Sequence, residues 1–405
     1  MTDERRVSEA DWEACLRVLE RVAEDGRAAR DREALERAVA QVYKRARKAR
    51  RKESGHVRKT RDRAAVEQVL ERREARDEPI RDEVRLLAGA RYCYVCHTRY
   101  RDLHARYHLL CPSCAALHEE KRRERADLTG RRAVVTGGRA GIGRAVALRL
   151  LRDGARVVVT TRYAESARRA FATEPDHSAF AERLEIAALD LEDLGAVERF
   201  AAEAAREPLD ILVNNAALSV AYPAETTARL ASGEPADEDE DDDERDHHGW
   251  LYAVDEIPLA ELMSVLQVNA AAPLLLVGRL RAALAASPHA VRFIVNVTGL
   301  DGQFSRPFKG ARHVHVNMSK AALNMLTRTA AAELAQEHIY MCSVDAGWVT
   351  HEGRASTRRK ARAQGFLPPL DEVDAASRIY DPILRGLAGD PVCGVLLKDY
   401  RPTAF

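Results

Sequence analysis

Apolar positions along this chain follow two patterns in succession. Near the front, Trp12, Leu16, Leu19 and Val22 recur at helical spacing behind Ser8 and Asp11, which read as a helix cap. Leu35, Val39 and Val42 resume the pattern after Gly26, and Val66, Val69 and Leu70 predict a further short helix. From residue 130 onward, short unbroken apolar runs alternate with helical stretches. Ala133–Val135 and Val157–Val159 are solid runs, as strands buried on both faces require. Between them Ala145, Leu148 and Leu151 mark a helix that Asp153-Gly154 stops. Further runs end at Asp190-Leu191 and cover Ile211–Val213, Val291–Thr298 and Val395–Leu397. This alternation predicts an α/β fold: a doubly wound parallel sheet over about 130–400, preceded by charged helices over 1–90 and a small cysteine-bearing segment over 91–120.

The first strand and helix are joined by Thr136–Gly143, which spells T-G-x-x-x-G-I-G. Gly137 permits a tight turn, Gly141 lets a pyrophosphate approach the backbone, and Gly143, after Ile142, lets the helix pack closely on the strand. The free N–H groups that open the helix favour phosphate. A strand, glycine turn, helix and strand in this order point to dinucleotide binding.

The same spacing resembles the short-chain dehydrogenase/reductase family, a Rossmann fold, and later residues extend the resemblance in order. Asp190-Leu191 is similar to the family's adenine-contacting pair, Asn214-Asn215-Ala216-Ala217 to its N-N-A-G turn, and Asn269 to its central-helix Asn. Val291–Thr298 resembles its serine-bearing strand, Ser319-Lys320 the end of its Y-x-x-x-K, and Asp345–Thr350 its P-G-x-x-x-T, with Gly347 and Thr350 at the matching positions. The resemblance implies hydride transfer at a nicotinamide. It also implies contacts to the dinucleotide from Asn215, Ala216, Lys320, Gly347 and Thr350, and often a homodimer. Two positions depart from the family pattern. Val316 stands where the catalytic tyrosine would be, and the Ser-Ser pair reads Thr298-Gly299. Thr298 keeps a hydroxyl one residue away. His315, beside Val316, carries a ring suited to proton transfer near neutrality, with Asp301 and Tyr400 as further candidates. The candidate catalytic set is therefore Asn269, Thr298, His315 and Lys320.

Cofactor choice follows from the residues after the second strand. An acid there would bind a ribose 2′-OH, whereas this chain has Thr160-Thr161-Arg162, with Arg139 inside the glycine turn. Guanidinium matches phosphate, so NADP(H) is expected over NAD.

Cys93-x-x-Cys96 and Cys111-x-x-Cys114, fourteen residues apart, have the spacing of two knuckles that hold Zn²⁺ tetrahedrally. The alternatives are a redox pair or free buried thiols. Four thiolates leave no open position, so the site is read as structural, and the intervening segment is too short to fold without metal.

Charge and composition refine this picture. The net charge of +1 hides a basic front, with 32 Lys/Arg against 25 Asp/Glu in residues 1–130, and an acidic remainder. Lys44–Lys52 is strongly basic but lacks stacking aromatics, so a solvated helix face or a linker outweighs nucleic-acid binding there. Nucleic acid or protein remains a possible partner for the front and the cysteine segment. Residues 223–249 include an acidic run, Glu234–Asp246, with ten acids in thirteen, which predicts an unfolded loop. No unbroken apolar run approaches the roughly 20 residues of a membrane span, and the front lacks a signal-peptide core. Seven cysteines, four of them in two tight pairs, suit a reducing compartment with a metal site better than a disulfide framework, so a cytoplasmic protein without membrane contact is expected. The expected function is an NADP(H)-dependent oxidoreductase with a non-standard proton donor, acting on a small molecule. The alternatives are a weakly catalytic NADP(H)-binding scaffold or sensor, and an enzyme on a macromolecule docked by the front.

Overall fold

The solid apolar runs become the strands of one sheet. The computed structural model describes residues 8–24, 32–74, 85–219, 249, 251–306, 308–349 and 366–405. The acidic run and Thr350 lie outside the described residues. The chain divides into two units, residues 1–64 and 65–405, so the division falls earlier than the end of the expected 1–90 front segment.

The first unit holds α1 (Glu9–Glu24) and the start of α2 (Arg32–Glu74). Ser8 caps α1, its hydroxyl accepting the Asp11 N–H at 3.1 Å. In the second unit, Val66, Val69 and Leu70 at the end of α2 bury against Leu87 and Leu103, which accounts for the early boundary. Those two leucines lie on β1 (Arg85–Tyr92) and β2 (Arg99–Leu103), an antiparallel pair. The helix α3 (Pro112–Arg123) follows.

The main sheet contains β3 (Arg132–Thr136), β4 (Arg156–Thr161), β5 (Leu184–Ala188), β6 (Ile211–Asn214), β7 (Arg292–Thr298), β8 (Ile339–Asp345), β9 (Leu396–Lys398) and β10 (Arg401–Thr403). Their spatial order is β10-β9-β8-β7-β6-β3-β4-β5, all parallel except β10 against β9. The doubly wound parallel sheet is therefore present. Strand order reverses beside β3, which opens a crevice at the carboxyl ends of β3 and β6.

Side chains alternate between the two faces. Ala133 and Val135 meet one layer, containing α4 (Gly141–Arg152), α5 (Ala164–Ala172), α6 (His177–Phe180) and α11 (Glu372–Leu387). Val134 meets the other, containing α7 (Leu194–Ala204), α8 (Leu259–Leu266), α9 (Ala272–Ala285) and α10 (Val314–Ala335). A π-helical turn, Gln267–Ala271, joins α8 to α9. The 27-residue run Leu259–Ala285 is apolar and long enough to span a membrane by composition, but its Val265, Ala272, Leu276 and Leu280 are buried in this layer. The C-terminal tail contributes a strand that the sequence pattern does not reveal. Asp399 and Tyr400 adopt left-handed φ values of 48° and 65°, the geometry of a tight hairpin, and return β10 to β9.

Candidate active site and metal centre

The glycine turn is built by exclusion. A Cβ on Gly143 would lie 2.3 Å from the Gly137 carbonyl oxygen and 2.4 Å from Asn215 Nδ2, so only glycine lets α4 start so close to β3. Gly137, at φ +68°, would bring a Cβ within 2.8 Å of Ala216 Cα. Gly141 differs: its φ is +54°, and a Cβ there would meet nothing within 4 Å. That opening faces the start of α4, whose Ala140 cap supplies no side-chain acceptor. The first amide hydrogens of α4 are thus available to an anion. The Asn-Asn-Ala turn is tied to the same place. Asn215 Nδ2 donates to the Thr136 carbonyl at 3.0 Å, and the N–H groups of Asn215 and Ala216 both donate to Thr136 Oγ1 at 3.0 Å. The residues present therefore fit a dinucleotide pyrophosphate.

On the β4 side, Arg139 and Arg162 flank one ring, their guanidinium carbons 5.7 and 5.4 Å from the Tyr163 centroid. Arg162 approaches Glu192 at 3.4 Å in a half-exposed pair, and Arg139 forms no ion pair among the described residues. Asp190 is exposed and accepts the Glu192 N–H at 3.0 Å; Leu191 is buried and Ile142 half-buried.

The reacting side lies at the ends of β7 and β8, where Thr298 pairs with Asp345. Thr298 Oγ1 is buried with no hydrogen-bond partner among the described residues. Lys320 Nζ donates to the Val297 carbonyl at 3.0 Å. Burial pushes its ammonium down to about 8, with the Asp301 charge opposing the shift. Gly347, at φ +86°, turns the chain after β8, and its N–H donates to Asp345 Oδ1 at 2.8 Å.

Asn269 sits inside the π-helical turn, a common address for functional residues. Its carboxamide binds both polar groups of the Leu218 backbone and donates to Ser319 Oγ at 2.9 Å. Ser319 Oγ in turn donates to the Val316 carbonyl. Val316 and Lys320, four residues apart on α10, share a helix face, whereas His315 and Ser319 share the next one round. Accordingly Lys320 reaches the end of β7 beside Thr298 in sequence, Gly347 follows two residues after Asp345, the strand partner of Thr298, and Asn269 is joined to α10 through Ser319. The fully buried His315 turns to α8 instead, its Nε2 3.3 Å from Glu261 Oε1. Tyr400 also faces elsewhere, its ring edge-on to His118 at 5.3 Å. The tail end does reach the loop after β7: the Ser305 N–H donates to the Phe405 carbonyl at 3.1 Å.

The four cysteines converge. The Sγ atoms of Cys93, Cys96, Cys111 and Cys114 all lie within 4.8 Å of one another, and those of Cys96 and Cys111 are 3.6 Å apart. Metal–thiolate bonds of about 2.3 Å in a tetrahedron place sulfurs about 3.8 Å apart, so the cluster fits an ion. Hydrogen bonds from Thr98 hold the Cys96 thiol down to about 6, whereas burial pushes the Cys93 and Cys114 thiols up. His118 is fully buried, with its ring nitrogens on the Cys114 carbonyl and Arg378, and no histidine joins the cluster among the described residues.

Sequence reasoning misses Leu218, Glu261 and Arg378. The first directly follows the Asn-Asn-Ala-Ala turn. Arg378 stands inside the apolar stripe Ala375, Ala376, Ile379 and Ile383, and a charge in such a stripe is a signal that a buried partner exists.

Fold and crevice together define a doubly wound α/β protein whose glycine turn fits a dinucleotide pyrophosphate. The model of the short chain dehydrogenase family matches residues 131–234. The rhamnolipids biosynthesis 3-oxoacyl-[acyl-carrier-protein] reductase of Pseudomonas aeruginosa is 32% identical over 220 residues, covering 52% of this chain and 70% of that protein. An uncharacterized protein of Acanthamoeba polyphaga mimivirus is 28% identical over 341 residues, covering 72% and 71%. The crystal structure of a blue fluorescent protein from a metagenomic library, in complex with NADPH, is 25% identical with a TM-score of 0.50, covering 67% of this chain and 96% of that one. This chain belongs to the short-chain dehydrogenase/reductase family.

Proposed function

We propose that this protein is an NADP(H)-dependent oxidoreductase of small carbonyl or imine compounds, with Lys320 as proton donor in place of the family's tyrosine. The observation that carries this reading is the position of Lys320 Nζ, 3.0 Å from the carbonyl of Val297, the residue before Thr298 at the carboxyl end of β7, where the buried Thr298 hydroxyl has no partner among the described residues. An ammonium has three hydrogens, and one suffices for that carbonyl. A bound NADPH would supply hydride to the substrate carbon. Lys320 passes one proton from Nζ to the carbonyl oxygen or imine nitrogen, and Thr298 Oγ1 fixes that atom by a hydrogen bond. Asn269 holds the register of α10 through Ser319. Preference for the 2′-phosphate rests on Arg139 and Arg162 beside Tyr163, and an NADPH complex of a similar protein supports it. In this reading Cys93, Cys96, Cys111 and Cys114 hold a structural Zn²⁺, because four thiolates leave no site for a substrate.

NADPH oxidation against a panel of carbonyls and imines, wild type beside Lys320→Ala, tests the reading. Turnover by the wild type that Lys320→Ala loses supports it. Tight NADPH binding without turnover on any compound would favour a dinucleotide sensor, the reading that Val316 in the tyrosine position allows.

A further inference from the structure

The turn after β8, Asp345–Trp348, flanks Thr298 and lies at the carboxyl edge of the sheet, where ligands of this fold bind. Its backbone is held mostly from outside the sheet. Tyr94, between the metal-site cysteines 93 and 96, accepts the Trp348 N–H on its hydroxyl at 3.0 Å, and the two rings lie 6.5 Å apart. A second path starts at Cys114. The Cys114 carbonyl meets His118 Nδ1 at 2.9 Å, and His118 Nε2 meets Arg378 Nη2 at 3.2 Å. A guanidinium only donates, so Nε2 accepts, and Nδ1 carries the hydrogen given to Cys114. Arg378 also donates to the Asp345 carbonyl at 3.5 Å and to the Asp399 carboxylate. Its guanidinium fills the space beside Gly347: a Cβ there would lie 2.3 Å from Arg378 Nη1. His118 and Arg378 are 0% and 2% exposed, so nothing from solvent replaces these bonds.

We infer that Tyr94, His118 and Arg378 are positioning residues that tie the dinucleotide-side turn Asp345–Trp348 to the four-cysteine cluster, so that metal occupancy and dinucleotide binding strengthen each other. The inference rests on the NADP(H) and metal readings given above. Contrary to the expectation of a segment without core, Tyr100, Tyr107, Leu110 and Ala115 are buried in the main core, so the ion adds to that packing by pinning the two cysteine pairs to each other. Without the ion the Cys93–Cys96 turn, which carries Tyr94, and the start of α3, which carries the Cys114 carbonyl, are tied to each other less firmly, and two holds on the Asp345–Trp348 turn loosen with them. Coupling between two binding events is reciprocal, so a dinucleotide that orders the turn must also retain the metal.

The test uses the full-length protein as isolated. Metal content is measured, then release of zinc to a chromophoric chelator is timed with and without saturating NADPH, and NADPH affinity is determined by calorimetry for wild type and Tyr94→Phe. The expected results are one zinc per chain, release slowed several-fold by NADPH, and binding to Tyr94→Phe weakened about fivefold, as loss of one backbone hydrogen bond implies. Tyr94→Phe should keep its zinc, and NADPH should protect that zinc less than in wild type. Protection is a readout that a merely structural tyrosine would not move. If NADPH binds the wild type and release does not slow, this inference alone falls, and it needs no variant to do so. If wild type binds no NADPH, or is isolated without metal, the underlying readings fall and carry this inference with them.

Discussion

The carboxamide of Asn269 clasps both polar groups of the Leu218 backbone, accepting from its N–H at 2.7 Å and donating to its carbonyl at 2.8 Å. The bond pair imitates a strand pairing with a side chain, and it anchors the chain just past the Asn-Asn-Ala turn. Asn269→Ala strands two buried groups, the Leu218 N–H and carbonyl, while Ser319 Oγ keeps its bond to the Val316 carbonyl. Each unsatisfied buried group costs about 1–3 kcal/mol, so a loss of at least ~2 kcal/mol is expected. Urea unfolding read by circular dichroism checks this. A variant as stable as wild type would mean that water fills the place of the carboxamide.

The two glycines of the turn should answer differently to a methyl group. Gly143→Ala drives Cβ into the backbone of Gly137 and the amide of Asn215, which cannot withdraw without breaking their own bonds. Gly141→Ala has free space and pays only for its left-handed φ, about 1 kcal/mol. Gly143→Ala is therefore expected to unfold or lose dinucleotide binding outright. Gly141→Ala should fold with a modestly lower melting temperature but bind NADPH more weakly, because its methyl group enters the phosphate space. Thermal melts with and without NADPH separate the two.

Much of this site is legible before any coordinates. The glycine spacing, the solid runs flanking it and the two cysteine knuckles are local patterns, and local chemistry fixes what they become. The departures at Val316 and Thr298-Gly299 are equally plain in sequence. What does not show is direction. His315 is adjacent to Val316 in sequence, yet one residue on a helix is a rotation of about 100°, and that carries its ring away from Lys320 to Glu261. The bonds from Tyr94 to Trp348 and from His118 to Arg378 join residues more than 250 positions apart, which no periodicity encodes. The final hairpin is hidden because Asp399 and Tyr400 take left-handed conformations that glycine or asparagine usually announces.

Arg139 and Arg162 should set coenzyme choice without setting fold. Both guanidiniums lie on the Tyr163 ring at the rim of the crevice, and neither is buried. A charge-assisted bond to phosphate contributes about 1.5–3 kcal/mol, so each Arg→Ala change should weaken NADPH about 10- to 100-fold. NADH lacks the phosphate and should bind almost unchanged. Calorimetric titration of both nucleotides against both variants gives the ratio directly. An equal loss for NADH would assign these arginines to the shared pyrophosphate instead.

Removing the metal should loosen one face of the main domain as well as the small segment. Tyr107 donates to Asp374 at 2.6 Å, and Arg122 pairs with Asp371 and Asp374 at 2.5 and 2.9 Å, so α11 is held by residues close to the cysteines. Asp374 is wholly buried, and a buried carboxylate stripped of its arginine is expensive to keep. A metal at a thousandfold excess over its Kd contributes about 4 kcal/mol. Chelation, or Cys111→Ser, is expected to lower the melting temperature by roughly 8–16 °C, taking 2–4 °C per kcal/mol. Calorimetric melts before and after zinc is restored check it. An unchanged melt would show the cysteines to be dispensable for the fold.

Lys320 carries the sharpest pH dependence. An unburied lysine titrates near 10.4, whereas burial pushes Lys320 down to about 8. In the proposed reaction Nζ gives up a proton, so reduction would need the protonated form. Its rate should be flat below about pH 8 and fall tenfold per unit above it, and oxidation of the product alcohol should rise over the same window. Lys320→Arg keeps the charge but titrates beyond reach, so reduction should lose the descending limb while turnover drops about 10²- to 10⁴-fold with the proton transfer. Nucleotide affinity, measured separately, tells whether the arginine still supports the bound coenzyme. A wild-type profile with no limb between pH 7 and 9, on a substrate whose chemistry is rate-limiting, would remove Lys320 from the proton path and leave it only a holding role.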